Sequence, residues 1–203
     1  MEVPNMAEKK VKTTTVTTEI LIEKRVKDDS TYWTKYTWDK NKPAVLVLAN
    51  YPSKLGIVEE DLTTMLIKNE VYRMDDYGAV IIGNLFTKPI SRNTANERTL
   101  ADAYEIDSMT ELLKVTKEVE KVIVSVGSLT NRYQIASDRL AMYGRMCSDE
   151  GQLDKIVELA DGQHKPKHPL ALQGDHWTLV PWTFDWENPP KSRRKKKVVE
   201  ADE

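Results

Sequence analysis

Three short runs of apolar residues, Ala44–Ala49, Ala79–Ile82 and Val122–Val126, most narrow what this 203-residue chain can fold into. Each is too short for a confident helix and apolar on both faces, the pattern of a strand covered on both sides. Segments with helical spacing lie between them. Glu59–Arg73 puts Leu62, Met65, Leu66, Asn69 and Tyr72 on one stripe, and Asp107–Val119 puts Met109, Leu112, Leu113 and Thr116 on another. This alternation implies a parallel sheet, because parallel neighbours need a long crossover and a helix is the usual one. Asn131–Met146, with Ile135, Leu140 and Met142 facing inward, and Leu153–Leu159 read as further helices, and Trp177–Val180, stopped by Pro181, as a last strand. The expected fold class is α/β, with three α/β/α layers around a central, mostly parallel four-stranded sheet.

Ahead of these runs, Val16–Ile22 and Thr31–Trp38 are rich in β-branched and aromatic residues, with the polar turn Lys27–Ser30 between them, and together predict an N-terminal β-hairpin. Along its second arm, Tyr32, Thr34, Tyr36 and Trp38 share one face by simple alternation. With 40% hydrophobic and 31% charged residues the chain can bury a core. The expected organisation is one α/β domain over 13–188, between a disordered N-terminus at 1–12 and a disordered basic tail at 189–203.

Charge is unevenly spread. Lys191–Lys197 carries six positive charges, and since the whole chain sums to −2, the remainder sums to −8. An acidic body disfavours a broad electrostatic grip on phosphate backbones, while the tail can supply salt-sensitive attraction. Cys147 stands alone, so no internal disulfide forms, and Cys147, His164, His168 and His176 lack zinc-ligand spacing. No metal or cofactor is expected. Without an apolar leader or a membrane-length apolar stretch, the expected location is the cytoplasm.

In open parallel sheets, ligands collect outside the carboxyl ends of the strands. The loops there read Asn50-Tyr51-Pro52-Ser53, Asn84-Leu85-Phe86-Thr87 and Gly127-Ser128-Leu129-Thr130. An asparagine after a strand is a good turn former, but two at equivalent positions point further: an amide both donates and accepts, as reading a base edge requires. Gly127 and Ser128 allow close approach of a ligand to the backbone, or simply a tight turn. His168, in Lys167-His168-Pro169-Leu170, can donate to a developing anion, contact a phosphate or anchor its loop. Asp61 and Thr63-Thr64 open a helix and read as capping residues.

Taken in order, these blocks resemble the family known as domain of unknown function 1643. The matching pieces are Tyr32 to Asp39, Asn50 to Ser53, Asp61 to Thr63, Tyr77-Gly78, Asn84 to Phe86, Val126-Gly127 and His168 to Leu170, spanning roughly Tyr32 to Pro181. Two positions depart from the pattern: Tyr51 separates Asn50 from Pro52, and Val126 stands where the family usually has Trp. The layout is also distantly similar to the uracil-DNA glycosylase superfamily. That likeness implies a water-holding role for Asn50, base reading by Asn84, and leaving-group or phosphate contact by His168.

Two functional classes follow. The first is an N-glycosidic hydrolase acting on DNA or a nucleotide, with Asn50 and His168 as catalytic residues and Tyr51, Pro52, Ser53, Asn84, Phe86, Gly127 and Ser128 forming the ligand site. The second is a binder that has the pocket without the chemistry, holding a nucleotide-like molecule or a protein partner, as in phage–host conflict; Tyr51 in the first loop favours it. An acidic, DNA-mimicking interaction protein would use the body of the molecule instead of the pocket.

Overall fold

The three apolar runs become neighbouring parallel strands in the computed structural model, which describes residues 13–15, 17–54, 59–91 and 93–191. Strand β3 (Ala44–Ala49) lies between β4 (Ala79–Asn84) and β5 (Lys121–Val124), and β6 (Ile156–Ala160) pairs parallel to β5. Three further strands extend this parallel centre: β1 (Leu21–Lys27) and β2 (Ser30–Thr37) on one side, and β7 (Thr178–Pro181) on the other, all antiparallel to their neighbours. The result is one mixed sheet of seven strands in the order β1-β2-β4-β3-β5-β6-β7. The expectation of four strands is therefore corrected. The hairpin is no separate appendage, because β2 bonds to β4 and carries it into the sheet.

Five helices are present among the described residues: α1 (Leu62–Arg73), α2 (Glu97–Ala101), α3 (Ser108–Glu118), α4 (Leu129–Arg132) and α5 (Gln134–Asp149). One face of the sheet packs Leu46, Leu48, Val122 and Val124 against Met109, Leu112, Leu140 and Tyr143 from α3 and α5. The other packs Val45, Val47, Val80 and Ile82 against Ile67 and Val71 of α1, with Leu172 from a short 3-10 turn at Pro169–Leu172. Each central strand thus buries both sets of its alternating side chains, which is why the runs are apolar without interruption.

Several sequence expectations are revised. The first hairpin arm is β1 at 21–27 instead of 16–22, and Val16 lies outside the described residues, as do 1–12 and, of the expected tail, 192–203. The alternation assumed along β2 fails because the register with β1 slips: Arg25 pairs with Trp33 but Val26 with Thr31, leaving Tyr32 as an extra residue. Tyr32 therefore donates its hydroxyl to Asp107 at the head of α3, whereas Tyr36 packs with the α1 cluster. The α1 stripe is also reversed. Leu62, Met65 and Tyr72 are exposed, and Ile67 and Val71 are buried instead. Leu153–Leu159 is a 3-10 turn over Leu153–Lys155 followed by β6, since this short apolar stretch fills the sheet edge beside β5. The helix expected over 131–146 breaks at Tyr133, whose extended backbone separates α4 from α5, and Met142 is exposed.

At the end of the sheet remote from the strand-end loops, backbone packing explains Gly78. Trp38 and Asp39 both donate their N–H groups to its carbonyl, at 2.9 and 3.0 Å, and a Cβ there would stand 1.8 Å from the Asp39 oxygen. After β7, the chain crosses α5: Trp182 and Trp186 cover Gly144, and Ser137 donates to the Pro190 carbonyl at 3.1 Å.

Beneath this segment the buried Glu158 accepts from the Thr183 hydroxyl at 3.1 Å, and burial pushes its carboxyl above the ordinary glutamate range. A carboxyl raised in the folded state costs stability as pH rises from the unfolded value through the folded one, and the whole cost is present above that window. Glu158→Gln, which keeps an acceptor for Thr183, is expected to melt above the parent at neutral pH, with the gain vanishing below the ordinary glutamate range. Thermal melts at the two pH values check this, and identical neutral melting points would contradict it.

Candidate functional site

Backbone bonds continue past the ends of the central strands and tie their loops together. Leu85 and Phe86 donate to the carbonyls of Ala49 and Asn50 at 2.9 and 3.0 Å, and Ser125 donates to Leu48 through both its N–H and its hydroxyl at 2.9 Å. Asn84 is the register partner of Ala49, so Asn50 stands one residue further along the adjacent strand, and both side chains line the same space. A third loop returns from β6. Asp161 accepts from the backbone N–H groups of Gln163 and Lys165, each at 2.9 Å, and pairs with Lys167 at 3.0 Å. Those donors hold its carboxyl down at about 2. Lys167 N–H then bonds to Leu159 at 2.8 Å, which delivers His168 to the neighbouring strand ends.

These loops enclose a cavity of about 740 Å³. Its wall includes Asn50, Tyr51, Pro52, Ser53, Asn84, Ser128 and His168, so seven of the nine residues singled out from sequence line one space. Phe86 and Gly127 do not line it. Phe86 is fully buried behind the wall, with its ring 6.3 Å from that of Tyr51 and 6.4 Å from that of Tyr104. Gly127 adopts φ +58, and a Cβ there would lie 2.9 Å from His168 Cβ and 3.0 Å from His168 N, so its bareness admits the histidine loop.

The polar groups of the cavity are unevenly satisfied. Asn50 and Asn84 are only 8% and 3% exposed, and among the described residues their side-chain oxygens have no hydrogen-bond partner. Each such group costs a fold about 1–3 kcal/mol. Among the described residues Thr37, Gln152 and Trp182 also carry one, but Asn50 and Asn84 are the two of these five that line the cavity. His168 differs. Its Nδ1 accepts from the Leu170 N–H at 3.3 Å, which places the proton of the neutral ring on Nε2 and makes that atom a donor. Burial depresses its pKa below the ordinary histidine value, and the negative charge of Asp61 pulls the other way. Asp61 caps α1, accepting from the Thr64 N–H at 2.9 Å and the Thr64 hydroxyl at 3.2 Å.

Other wall residues escaped sequence reasoning. Thr31, Thr34 and Tyr36 come from β2, because β2 joins β4 and overhangs the cavity. Arg132, from α4, was signalled only as a cation shortly after the third loop. Behind the wall, Arg139 of α5 is 6% exposed and donates Nε to the Leu85 carbonyl at 2.6 Å and Nη2 to the Ser108 hydroxyl at 2.8 Å. Among the described residues no helix is long and apolar enough to cross a membrane, and no group of three or more His, Cys, Asp or Glu is placed to hold a metal.

No curated protein matches the chain, and neither does any solved structure. Residues 32–170 match the model of a family described as protein of unknown function, and this stretch holds all of the strand-end loops that line the cavity. With well over half of its length matched, the chain belongs to the DUF1643 family.

Proposed function

We propose that the cavity takes up a nucleobase and that the protein hydrolyses the N-glycosidic bond holding it. The observation that carries this reading is the pair of buried, unpartnered amide oxygens on Asn50 and Asn84. They call for a ligand or water that donates hydrogen bonds, and a base edge with ring and exocyclic N–H groups is such a ligand. Asn84 reads the base, and Asn50 holds a water by its oxygen. An amide is too weak a base to deprotonate that water, so its contribution is orientation. Water adds to C1′ as the C1′–N bond breaks, the bonding pair leaves with the base, and the proton released from water ends on the base. The Nε2–H of a neutral His168 donates to the departing base and stabilises its developing charge. These roles follow the sequence-level resemblance to uracil-DNA glycosylases, which is one of layout.

A non-catalytic binder is the second reading, favoured by Tyr51. Its ring lies on the cavity wall and is backed by Phe86, where it offers a stacking surface for a base and crowds the place of the water.

A panel of bases, nucleosides and nucleotides is expected to contain members that raise the melting temperature of the parent and leave Asn84→Ala unmoved. Free base released from nucleotides or from uracil- or mismatch-containing oligonucleotides, measured by chromatography, supports hydrolysis. Stabilisation without release supports the binder. A panel that shifts nothing removes both readings.

A further inference from the structure

We infer that the ligand is a free nucleotide, with its base at Asn50 and Asn84 and its phosphate held by Arg132 and Ser128; this rests on the nucleobase reading above. Polarity along the strand ends carries the inference. The unpartnered acceptors, Asn84 and Asn50, stand at the ends of β4 and β3, in that order along the sheet. The donors come from the next strand along, β5. Ser128 and Arg132 come after β5 and line the same cavity. Ser128 precedes α4 without capping it through its side chain, so its hydroxyl is not committed to the helix. Arg132, four residues on, is one helical turn away and lines the same cavity. Among the described residues it has no carboxylate partner, its neighbour being the Tyr133 ring at 5.4 Å. A ligand that matches both sets donates hydrogen bonds from one extremity and carries an anion at the other.

Charge on the wall supports the same conclusion. Of the acids lining the cavity, Glu60 is paired with Lys68 at 2.6 and 2.8 Å, whereas Asp61 accepts from neutral donors in the first turn of α1 and keeps its charge. The side chains of Lys24, Lys54 and Arg132 have no acidic partner among the described residues, and Glu59 and Asp61 are the wall acids left without a cation there. Three unpaired cations against two unpaired acids leave the cavity wall positive by one charge, in a molecule whose remainder beyond the Lys191–Lys197 run sums to −8. An anion is attracted locally while an extended polyanion is repelled by the surroundings, which selects a single nucleotide over a nucleic-acid strand. Volume agrees, since about 740 Å³ exceeds what a base alone fills and lies within the roughly 300–1,000 Å³ of sites for drug-sized ligands.

Titration calorimetry of the full chain with the common nucleosides, their 5′-monophosphates, ribose 5-phosphate and a short single-stranded oligonucleotide tests this. At least one monophosphate is expected to bind roughly ten- to hundredfold more tightly than its nucleoside. Arg132→Gln, at an exposed position, is expected to erase that difference, and Asn84→Ala to weaken nucleoside and monophosphate alike. Equal affinity for nucleoside and monophosphate overturns the phosphate assignment but leaves base recognition standing. Tighter binding of the oligonucleotide than of any monophosphate overturns the choice of a free nucleotide. Binding of ribose 5-phosphate alone, with every nucleoside inert, overturns the base reading and the present one with it.

Discussion

Truncation of Arg139 to alanine is expected to cost about 3 kcal/mol of folding stability and to weaken ligand binding in the neighbouring cavity. This guanidinium is buried with no carboxylate partner among the described residues, and burial pulls its pKa down to about 10, so it stays charged at neutral pH. Two hydrogen bonds, to the Leu85 carbonyl and the Ser108 hydroxyl, and two ring faces hold it: Tyr104 at 3.8 Å and Phe86 at 5.5 Å from centroid to guanidinium carbon. Removing it leaves the Leu85 carbonyl without that donor, opens a void and withdraws support from Phe86, against which Tyr51 leans. Leu85 follows Asn84 directly, so the loosened loop includes the amide proposed to read a base. Arg139→Lys is not expected to rescue, because an ammonium cannot present a planar fork to two acceptors while stacking on two rings. Urea denaturation measures the first effect as a shifted midpoint at constant slope. A loss under about 1 kcal/mol, the scale of an ordinary single hydrogen bond, would show that Arg139 is not the anchor.

The second large effect is expected from Gly127→Ala. A side chain at φ +58 costs roughly 1–2 kcal/mol of backbone strain, and the new methyl meets His168 at 2.9 Å from its Cβ and 3.0 Å from its backbone nitrogen. Those contacts are with backbone and Cβ, which cannot rotate aside, so the loop carrying His168 must move. Ligand affinity is expected to fall at least tenfold, a loss of about 1.4 kcal/mol. The His168 imidazole is also expected to titrate closer to the ordinary histidine value as its burial is relieved, which NMR of the ring protons reads directly. An unchanged titration together with unchanged binding would show that Gly127 does not set the position of the histidine. Stability should fall in the same variant. His168→Ala supplies the control, since loss of binding without backbone strain separates the two contributions.

Most of the central fold is legible in the chain itself. Ala44–Ala49, Ala79–Asn84 and the run after Lys121 sit where their unbroken apolarity places them, because only strands covered on both faces need no polar side. The site loops are legible for a related reason. Where the apolar runs stop the chain turns from strand to loop, and Asn50, Asn84 and Ser128 stand at or just past those ends. The failures share another cause. Leu62, Met65 and Tyr72 have helical spacing, but the spacing cannot show which stripe turns inward, and the sheet selected Ile67 and Val71. The segment around Ile156 is too short for its pattern to choose between helix and strand, and the free edge of β5 chose strand.

By itself, then, the order of apolar and polar residues determined the parallel centre of the sheet and the loops that leave it, since burial periodicity is a local property. Only the tertiary structure decided that β2 would bulge and roof the cavity with Thr31, Thr34 and Tyr36, that His168 would come to rest on Gly127, and that Arg139 would bond the Leu85 carbonyl behind Phe86. Each of those depends on pairing between segments distant in the chain, where packing and hydrogen-bond satisfaction in three dimensions, and not local preference, choose the partner.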